Sequence, residues 1–455
     1  MRITIEQALE LEKSDPVMAG QWLDALLEAN RNEPEVICAA ATNLMNRGWN
    51  GLAYQLYERV IRLAPNAPFA KTAWNNMGVC MRSTNEVSAA VSCFKNALLF
   101  GETPTNFSNL ASCYINSGEP DMCLKYAGRA LAIDPSYGNA LHNRALALLE
   151  TGDYKNAWEI YDHRMVERKQ MRYDSPSSID FGKREYGCPM WDGGKTGVLV
   201  VHGEQGVGDE IMFGSLIERC KPLCDQLILE CHKKLVKTYE RSFGVPCYAT
   251  PPEVLSRHKP DAWAAVGSLP RILGIGRPEG YSGYLKPDEE RVSRWKELYP
   301  SPRVGISWRG GTPKTHENLR NFVAPIWKPL TDTMRMISLQ YDDWEAEVDY
   351  FGLHKTEPVD FDDRMALVKS CDLVISVCNT TVHMAGSMGV PCWCLVPSKP
   401  AWRYGLGGEK MPWYSSVKLY RQKPGEKWKD VIGRLVTDLE ASNLMQSCDK
   451  ARLYG

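Results

Sequence analysis

Residues 196–217 read TGVLVVHGEQGVGDEIMFGSLI, and this stretch decides the architecture of the C-terminal part of the chain. The run 196–202 is short, β-branched and apolar, the pattern of a strand buried in a parallel sheet. Glycines at 203, 206 and 208 then supply a turn, and the apolar spacing from Ile211 to Ile217 is helical. Strand, glycine turn and helix make half of a βαβ unit. Further strand-like runs lie at 226–231, 245–249 and 261–266, and the pattern restarts at 303–308, 334–340, 372–377 and 391–396. Strand–helix alternation in two blocks predicts two parallel-sheet domains, at 196–295 and 296–455. Ligands of such sheets sit beyond the carboxyl ends of the strands. The loops after Val201, Trp308, Leu339 and Val377 are therefore the places to look.

Upstream, the chain repeats. Ala41, Gly78, Ala111 and Ala145 follow one another at steps of 37, 33 and 34 residues. Each is followed three residues later by Leu44, Met81, Tyr114 or Leu148, and twelve later by Ala53, Ala90, Cys123 or Ala157. Sixteen later come Tyr57, Phe94, Ala127 and Tyr161, while Pro65 and Pro135 close their repeats at one phase. Small residues let two helices touch, and large ones fill the groove of the next pair. This resembles the tetratricopeptide repeat, whose unit is about 34 residues. It implies an α-solenoid over 1–165, capped by a half repeat at 5–33, whose concave groove takes a protein partner. Residues 166–195 lose the period and read as a linker.

Composition sets the outer bounds. A chain of 455 residues corresponds to about three domains at ~150 residues each. Hydrophobic residues at 44% and charged residues at 24% fit an ordinary globular protein. With 54 basic and 55 acidic side chains, the net charge of −1 gives no field that would collect nucleic acid. The N-terminus lacks the apolar core of a signal peptide and no run of 18 apolar residues exists, so the expectation is a cytoplasmic chain without a membrane span. The 15 cysteines, many at apolar helical positions, read as reduced core thiols.

Several residues carry candidate chemistry. Gly206 and Gly208 could cradle a phosphate on helix N-terminal amides, although neither a Gly-Lys-Ser/Thr loop nor the third glycine of a dinucleotide fingerprint is present. Asp209 begins the helix. There it either complements the dipole or takes a proton from an acceptor hydroxyl as a general base. Arg309, Lys314 and Arg320, with His316 beside them, bring positive charge to the loop after a strand, and Asn379, Thr380 and Thr381 stand where a strand turns into the helix holding His383. Asp342-Asp343 reads as a solvated loop or cap, and Asp360 as a helix N-cap. No metal site is expected.

Gly203-Glu-Gln-Gly-Val-Gly-Asp-Glu-Ile-Met-Phe213, preceded by Trp191-Asp-Gly193, resembles the start of the glycosyltransferase domain fused to tetratricopeptide repeats in bacteria, which is similar to the heptosyltransferases. Also matching are Ser268-Leu-Pro-Arg271, Gly305-Ile-Ser-Trp308, Ser338-Leu-Gln340, residues 372–386, Pro397 to Arg403, and Pro412-Trp-Tyr414. The resemblance runs from about 188 to 435. It implies a GT-B fold of two Rossmann-like domains, the first on the acceptor side and the second binding a nucleotide-sugar donor. It also implies inversion at the sugar, a hydroxyl acceptor on a glycan or protein, and neither metal nor cofactor. Gln340 joins the donor-site candidates on this ground. The family's Ser-Val-Asp-Thr reads Ser376-Val-Cys378-Asn379 here, so the aspartate position is Cys378. The alternative expectation is a non-catalytic scaffold, in which the repeats bind a protein and the sheet domains are a degenerate enzyme.

Overall fold

Helix α1 spans Pro16–Ala29, and three hairpins follow it: α2 (Pro34–Asn46) with α3 (Asn50–Leu63), α4 (Ala70–Ser83) with α5 (Val87–Leu98), and α6 (Pro104–Asn116) with α7 (Pro120–Ile133). A computed structural model describes the chain except residues 1–6, 8–9, 12–14, 30–31, 166–185, 250–256, 312–316, 342–343, 443 and 445–455. It divides into two units, 1–148 and 149–455. Helix α8 (Gly138–Thr151) reaches the end of the first unit, and α9 (Tyr154–Tyr161) lies in the second.

The periodic small residues do what their spacing predicts. Ala41, Ala111 and Ala145 have no exposed surface. At Gly78 a Cβ would stand 2.6 Å from the Phe94 ring, so only glycine lets α4 meet α5 there. The hairpin turns repeat too. Gly48, Asn85, Gly118 and Gly152 all have positive φ (83°, 66°, 70°, 86°), each seven residues after its small residue. This is the left-handed position that ends a helix, and asparagine tolerates it best after glycine. Along the first helices of the hairpins, Asn109 Nδ2 donates to Asn75 Oδ1 (2.9 Å), one repeat of 34 residues away.

In the second unit, β1 (Thr196–His202), β2 (Cys224–Cys231), β3 (Cys247–Ala249) and β4 (Ala262–Ala265) form a parallel sheet of order β3-β2-β1-β4. A second parallel sheet has order β6-β5-β7-β8-β9, from β5 (Val304–Ser307), β6 (Ile337–Ser338), β7 (Leu373–Val377), β8 (Cys392–Val396) and β9 (Val417–Arg421). The helices are α10 (Val207–Gly214), α11 (Val236–Phe243), α12 (Glu289–Leu298), α13 (Glu345–Phe351), α14 (Phe361–Ser370), α15 (Thr380–Ser387) and α16 (Trp428–Glu440). This is an α/β architecture.

Two strand expectations change. The run 334–340 forms only the two-residue β6, with His354 bridged to Ile337 on the side away from β5. β9 is an addition: its alternating Val417-Lys-Leu-Tyr-Arg421 lacks the all-apolar look of an inner strand because it stands at the sheet edge. Asp360 is an N-cap as expected, its Oδ1 accepting from Asp363 N at 2.8 Å. Its neighbours are busier. Asp362 receives Thr238 and Arg241 from α11, and Asp363 receives Trp295 and Arg294 from α12.

Candidate functional site

The turn after β1 is shaped by what it must bury. At Gly203 a Cβ would lie 2.3 Å from the Glu210 carboxyl, which turns inward to accept His232 N (3.0 Å). Gln205 takes φ 65°, a costly conformation for a non-glycine residue, while its side chain donates to Tyr161 Oη (3.3 Å). Gly206 caps α10 in extended geometry, and its carbonyl closes the first turn onto Asp209 N and Glu210 N. Asp209 thus sits on the opening turn of α10, where the helix dipole favours a carboxylate.

Asp209 Oδ1 accepts from Arg403 Nη2, with both side chains 19% exposed. Arg403 comes from the far side of the unit, on the loop after β8. Arg421 of β9 holds that loop, donating to the carbonyls of Tyr404, Gly405, Gly407 and Gly408. Arg403 Nε is buried without a partner among the described residues. Beside this ion pair stands His383 on α15. A Cβ on Gly208 would lie 3.0 Å from its ring, so this glycine lets α10 and α15 approach. His383 Nδ1 is 3.0 Å from Tyr414 Oη. Burial, and then Arg403, push the imidazole down to about 3, Asp209 opposing weakly. It is neutral at any working pH and supplies no positive charge.

Aromatic rings wall the neighbourhood. Trp158 of α9 packs edge-on to Trp402 (6.0 Å) and Phe213 (6.4 Å), and Phe213 to Trp413 (5.4 Å). Tyr161 lies near enough for Asp209 to help raise its phenol, after burial as the main cause. The residues that continue the repeat period into α9 therefore belong to the second unit, and Tyr161 to this wall.

At the strand ends of the second sheet the polar side chains are tied to backbone. Gln340 Oε1 accepts from Trp308 N (3.1 Å), Arg309 N (3.0 Å) and Ser307 Oγ (3.3 Å). Asn379 caps α15 by accepting from Thr381 N (2.8 Å), and donates to Ser307 Oγ (2.8 Å) and Arg309 O (3.0 Å). Thr380 is half-buried at the first position of α15 and Thr381 is buried. Arg309 is held bidentately by Glu347 and lies over Trp344, 4.5 Å from its centre. Arg320 Nη1 donates to the Cys378 carbonyl. A cavity of about 330 Å³ opens beyond β6, lined by Ser338, Gln340, Trp344, Val348 and Thr356 among others.

Of the residues predicted from sequence, Gly208, Asp209 and His383 converge at one point, and Gln340, Asn379 and the Arg309 backbone at another. Arg320, Thr380 and Thr381 stand at the approach to α15, and Gly206 serves as the cap of α10. Lys314, His316 and the pair Asp342-Asp343 lie outside the described residues, as does most of the 166–195 stretch. Sequence reasoning missed Arg403, Tyr161 and Trp158 as site residues. Arg403 closes a matching stretch, and only its place in that stretch hinted at a role. Among the described residues no His/Cys/Asp/Glu group is arranged to hold a metal ion, and no helix is long and apolar enough to cross a membrane.

The sequence model of the tetratricopeptide repeat family matches residues 106–137, the α6–α7 hairpin with its flanks. The first unit carries tetratricopeptide repeats. Protein FlbA of Caulobacter vibrioides (strain ATCC 19089 / CIP 103742 / CB 15) is 27% identical over 443 residues, covering 80% of this chain and 72% of FlbA. That alignment reaches well past the repeats. Serine/threonine-protein phosphatase T of Trypanosoma brucei brucei (strain 927/4 GUTat10.1) is 27% identical over 120 residues, covering 26% of this chain and 22% of the phosphatase. Among solved structures, MamA is 17% identical with a TM-score of 0.32, covering 37% of this chain and 98% of its own. YrrB, a tetratricopeptide repeat protein with an unusual peptide-binding site, is 19% identical with a TM-score of 0.28, covering 32% of this chain and 75% of its own.

Proposed function

We propose that residues 149–455 are a GT-B glycosyltransferase of the hexosyl- or heptosyltransferase kind, and that the repeats recognise a protein partner or the acceptor. One observation carries the reading. Asp209, at the carboxyl end of the first sheet and the start of α10, meets Arg403 and the α15 region from the second sheet. A carboxylate, a part-buried guanidinium and a helix start facing one another are what transfer from a phosphorylated donor requires. A base takes the acceptor proton, and fixed positive charge receives the leaving diphosphate.

In this reading the nucleoside diphosphate of a nucleotide sugar lies along the ends of β5, β6 and β7, with its base toward the cavity beside Trp344. Arg320, Arg403 and the α15 amides carry the phosphate charge, so that binding persists in EDTA. Asp209 deprotonates a hydroxyl of a glycan or protein, which attacks the anomeric carbon from the face opposite the diphosphate and inverts it. The site is cytoplasmic. General-base assistance is typically worth ~10²–10⁴-fold, so Asp209→Asn is expected to lower kcat by that order in a transfer assay with the donor found by thermal-shift screening. Near wild-type turnover refutes the role.

A second reading, a scaffold with a degenerate enzyme, draws on Cys378 at the aspartate position and on Arg309 being engaged by Glu347. Absence of a thermal shift with every nucleotide sugar favours it.

A further inference from the structure

Arg403 is poorly matched to the partner it has. The guanidinium is planar, with five N–H donors in a fork suited to two parallel bonds, yet it gives Asp209 a single bond through Nη2 while its buried Nε has no acceptor among the described residues. A buried donor left unmade has lost its water without gaining an acceptor, which destabilises the state that holds it. Natural structures keep few of these, and each asks for a cause. The strain is not relieved by letting the loop move, because Arg421 fastens it at four carbonyls. Arg320 approaches from the loop after β5 to the carbonyl of Cys378, just before α15. The Cys378 thiol senses both guanidiniums. Burial raises it, but Cys394, Arg320, Tyr404 and Arg403 together bring it below its ordinary value. Two arginines therefore converge on the strand end where α15 begins, and among the described residues one carboxylate oxygen answers Arg403.

Asp209 is mismatched as well. Its Oδ1 is taken up by the guanidinium and so faces Arg403 rather than an acceptor hydroxyl. The same contact that leaves Arg403 short of oxygens keeps this Asp209 oxygen turned away from an acceptor.

We propose that Asp209 occupies on Arg403 the place of the donor's diphosphate, and that the guanidinium passes from the carboxylate to the phosphates when the donor binds. The inference rests on the glycosyltransferase reading and adds to it an anion-binding residue and an order of events. Phosphate oxygens satisfy the fork, Nε included, and Asp209 is released beside the acceptor. The acceptor O–H then gives its proton to the Asp209 carboxylate as its oxygen bonds to the anomeric carbon. The bond from that carbon to the phosphate oxygen breaks, and its electron pair leaves with the nucleoside diphosphate. Arg403 and Arg320 hold the added negative charge. The base is therefore competent only with donor in place, and donor binds first.

The test is calorimetric titration of the full chain with UDP, GDP, ADP and dTDP in EDTA, on wild type, Asp209→Asn, Arg403→Met and the double variant. Removing an intramolecular competitor is expected to tighten the preferred diphosphate about three- to tenfold in Asp209→Asn, the effect of a partly buried ion pair. Arg403→Met is expected to weaken it at least tenfold, and the double variant to bind like Arg403→Met. Asp209→Ser, which removes the charge by truncation, is expected to repeat the tightening if the asparagine variant fails to fold. Affinity unchanged or weakened by loss of the Asp209 charge overturns the exchange while leaving Asp209 as a base untouched. No binding of any diphosphate to wild type or variants overturns the nucleotide-donor reading, and the exchange with it.

Discussion

Arg164→Met is expected to unfold the second unit more readily than any other single change near the site. Arg164 and Glu204 are 2% and 0% exposed. Arg164 Nε lies 3.1 and 3.0 Å from the two Glu204 oxygens, and Nη2 bonds both Glu204 and Ser268. Nη1 reaches Asp162 (2.7 Å), which also takes Ser268 and Arg271. Removing one partner of a buried pair leaves the other's charge stranded, at a cost of about 3–5 kcal/mol. The unit spans 307 residues, 149–455. At ~2.1 cal/mol/K per residue its unfolding entropy is about 0.65 kcal/mol/K, so Tm falls by about 5–8 °C. Glu204→Gln in the same chain removes the stranded charge while keeping an oxygen for Gly267 N, which now donates at 3.0 Å. The double variant is then expected to regain about half the loss, so the coupling is that regained ~1.5–2.5 kcal/mol plus whatever Glu204→Gln costs alone. Differential scanning calorimetry on the four proteins of the cycle measures it. A loss below about 1 kcal/mol for Arg164→Met, or additive effects in the double variant, refutes the reasoning.

Other consequences are as testable. Burial raises the Glu150 carboxyl from 4.5 to about 8; the unfolded chain ionises it first, so stability falls as pH rises through that window. At pH 7 the deficit is (7 − 4.5) × ~1.36, on the order of 3 kcal/mol. Urea melts from pH 4 to 8 are expected to show Glu150→Gln gaining steadily on wild type, and a constant difference refutes it. Arg421→Ala strands the carbonyls of the 404–408 loop. Trypsin is expected to cut at the exposed Lys410 several times faster; unchanged cleavage speaks against the clamp.

The repeats were legible because helix contact needs a small residue at a fixed phase, and the turns carry a second copy of the same period. Inner strands were legible as β-branched runs. β6 was overcalled because apolar character at 334–340 serves packing as well as pairing, and β9 was missed because an edge strand alternates with charge. At the site, Gly208, Asp209 and His383 announced themselves through a strand, a glycine turn and a helix start. Arg403 did not, because its meaning depends on a partner 194 residues earlier. Gln340 is a candidate through the resemblance and Asn379 through its place at a helix start, yet the polar bonds of their side chains run to the neighbouring loop, the strand ends and the first turn of α15, which sequence spacing does not reveal.

The place of α9 has a consequence for how such a chain can diversify. Its sequence keeps the repeat phase through Ala157 and Tyr161, yet Trp158, Tyr161 and Arg164 are built into the second unit's aromatic wall and buried ion network. Insertion, deletion or exchange of whole hairpins upstream of residue 148 leaves that seam intact. A recombination joint placed where the period ends, near 165, would instead carry the seam away with the repeats. The viable crossover therefore falls inside the last repeat. Lineages or engineers that swap recognition arrays on this scaffold must keep α9 with the sheets.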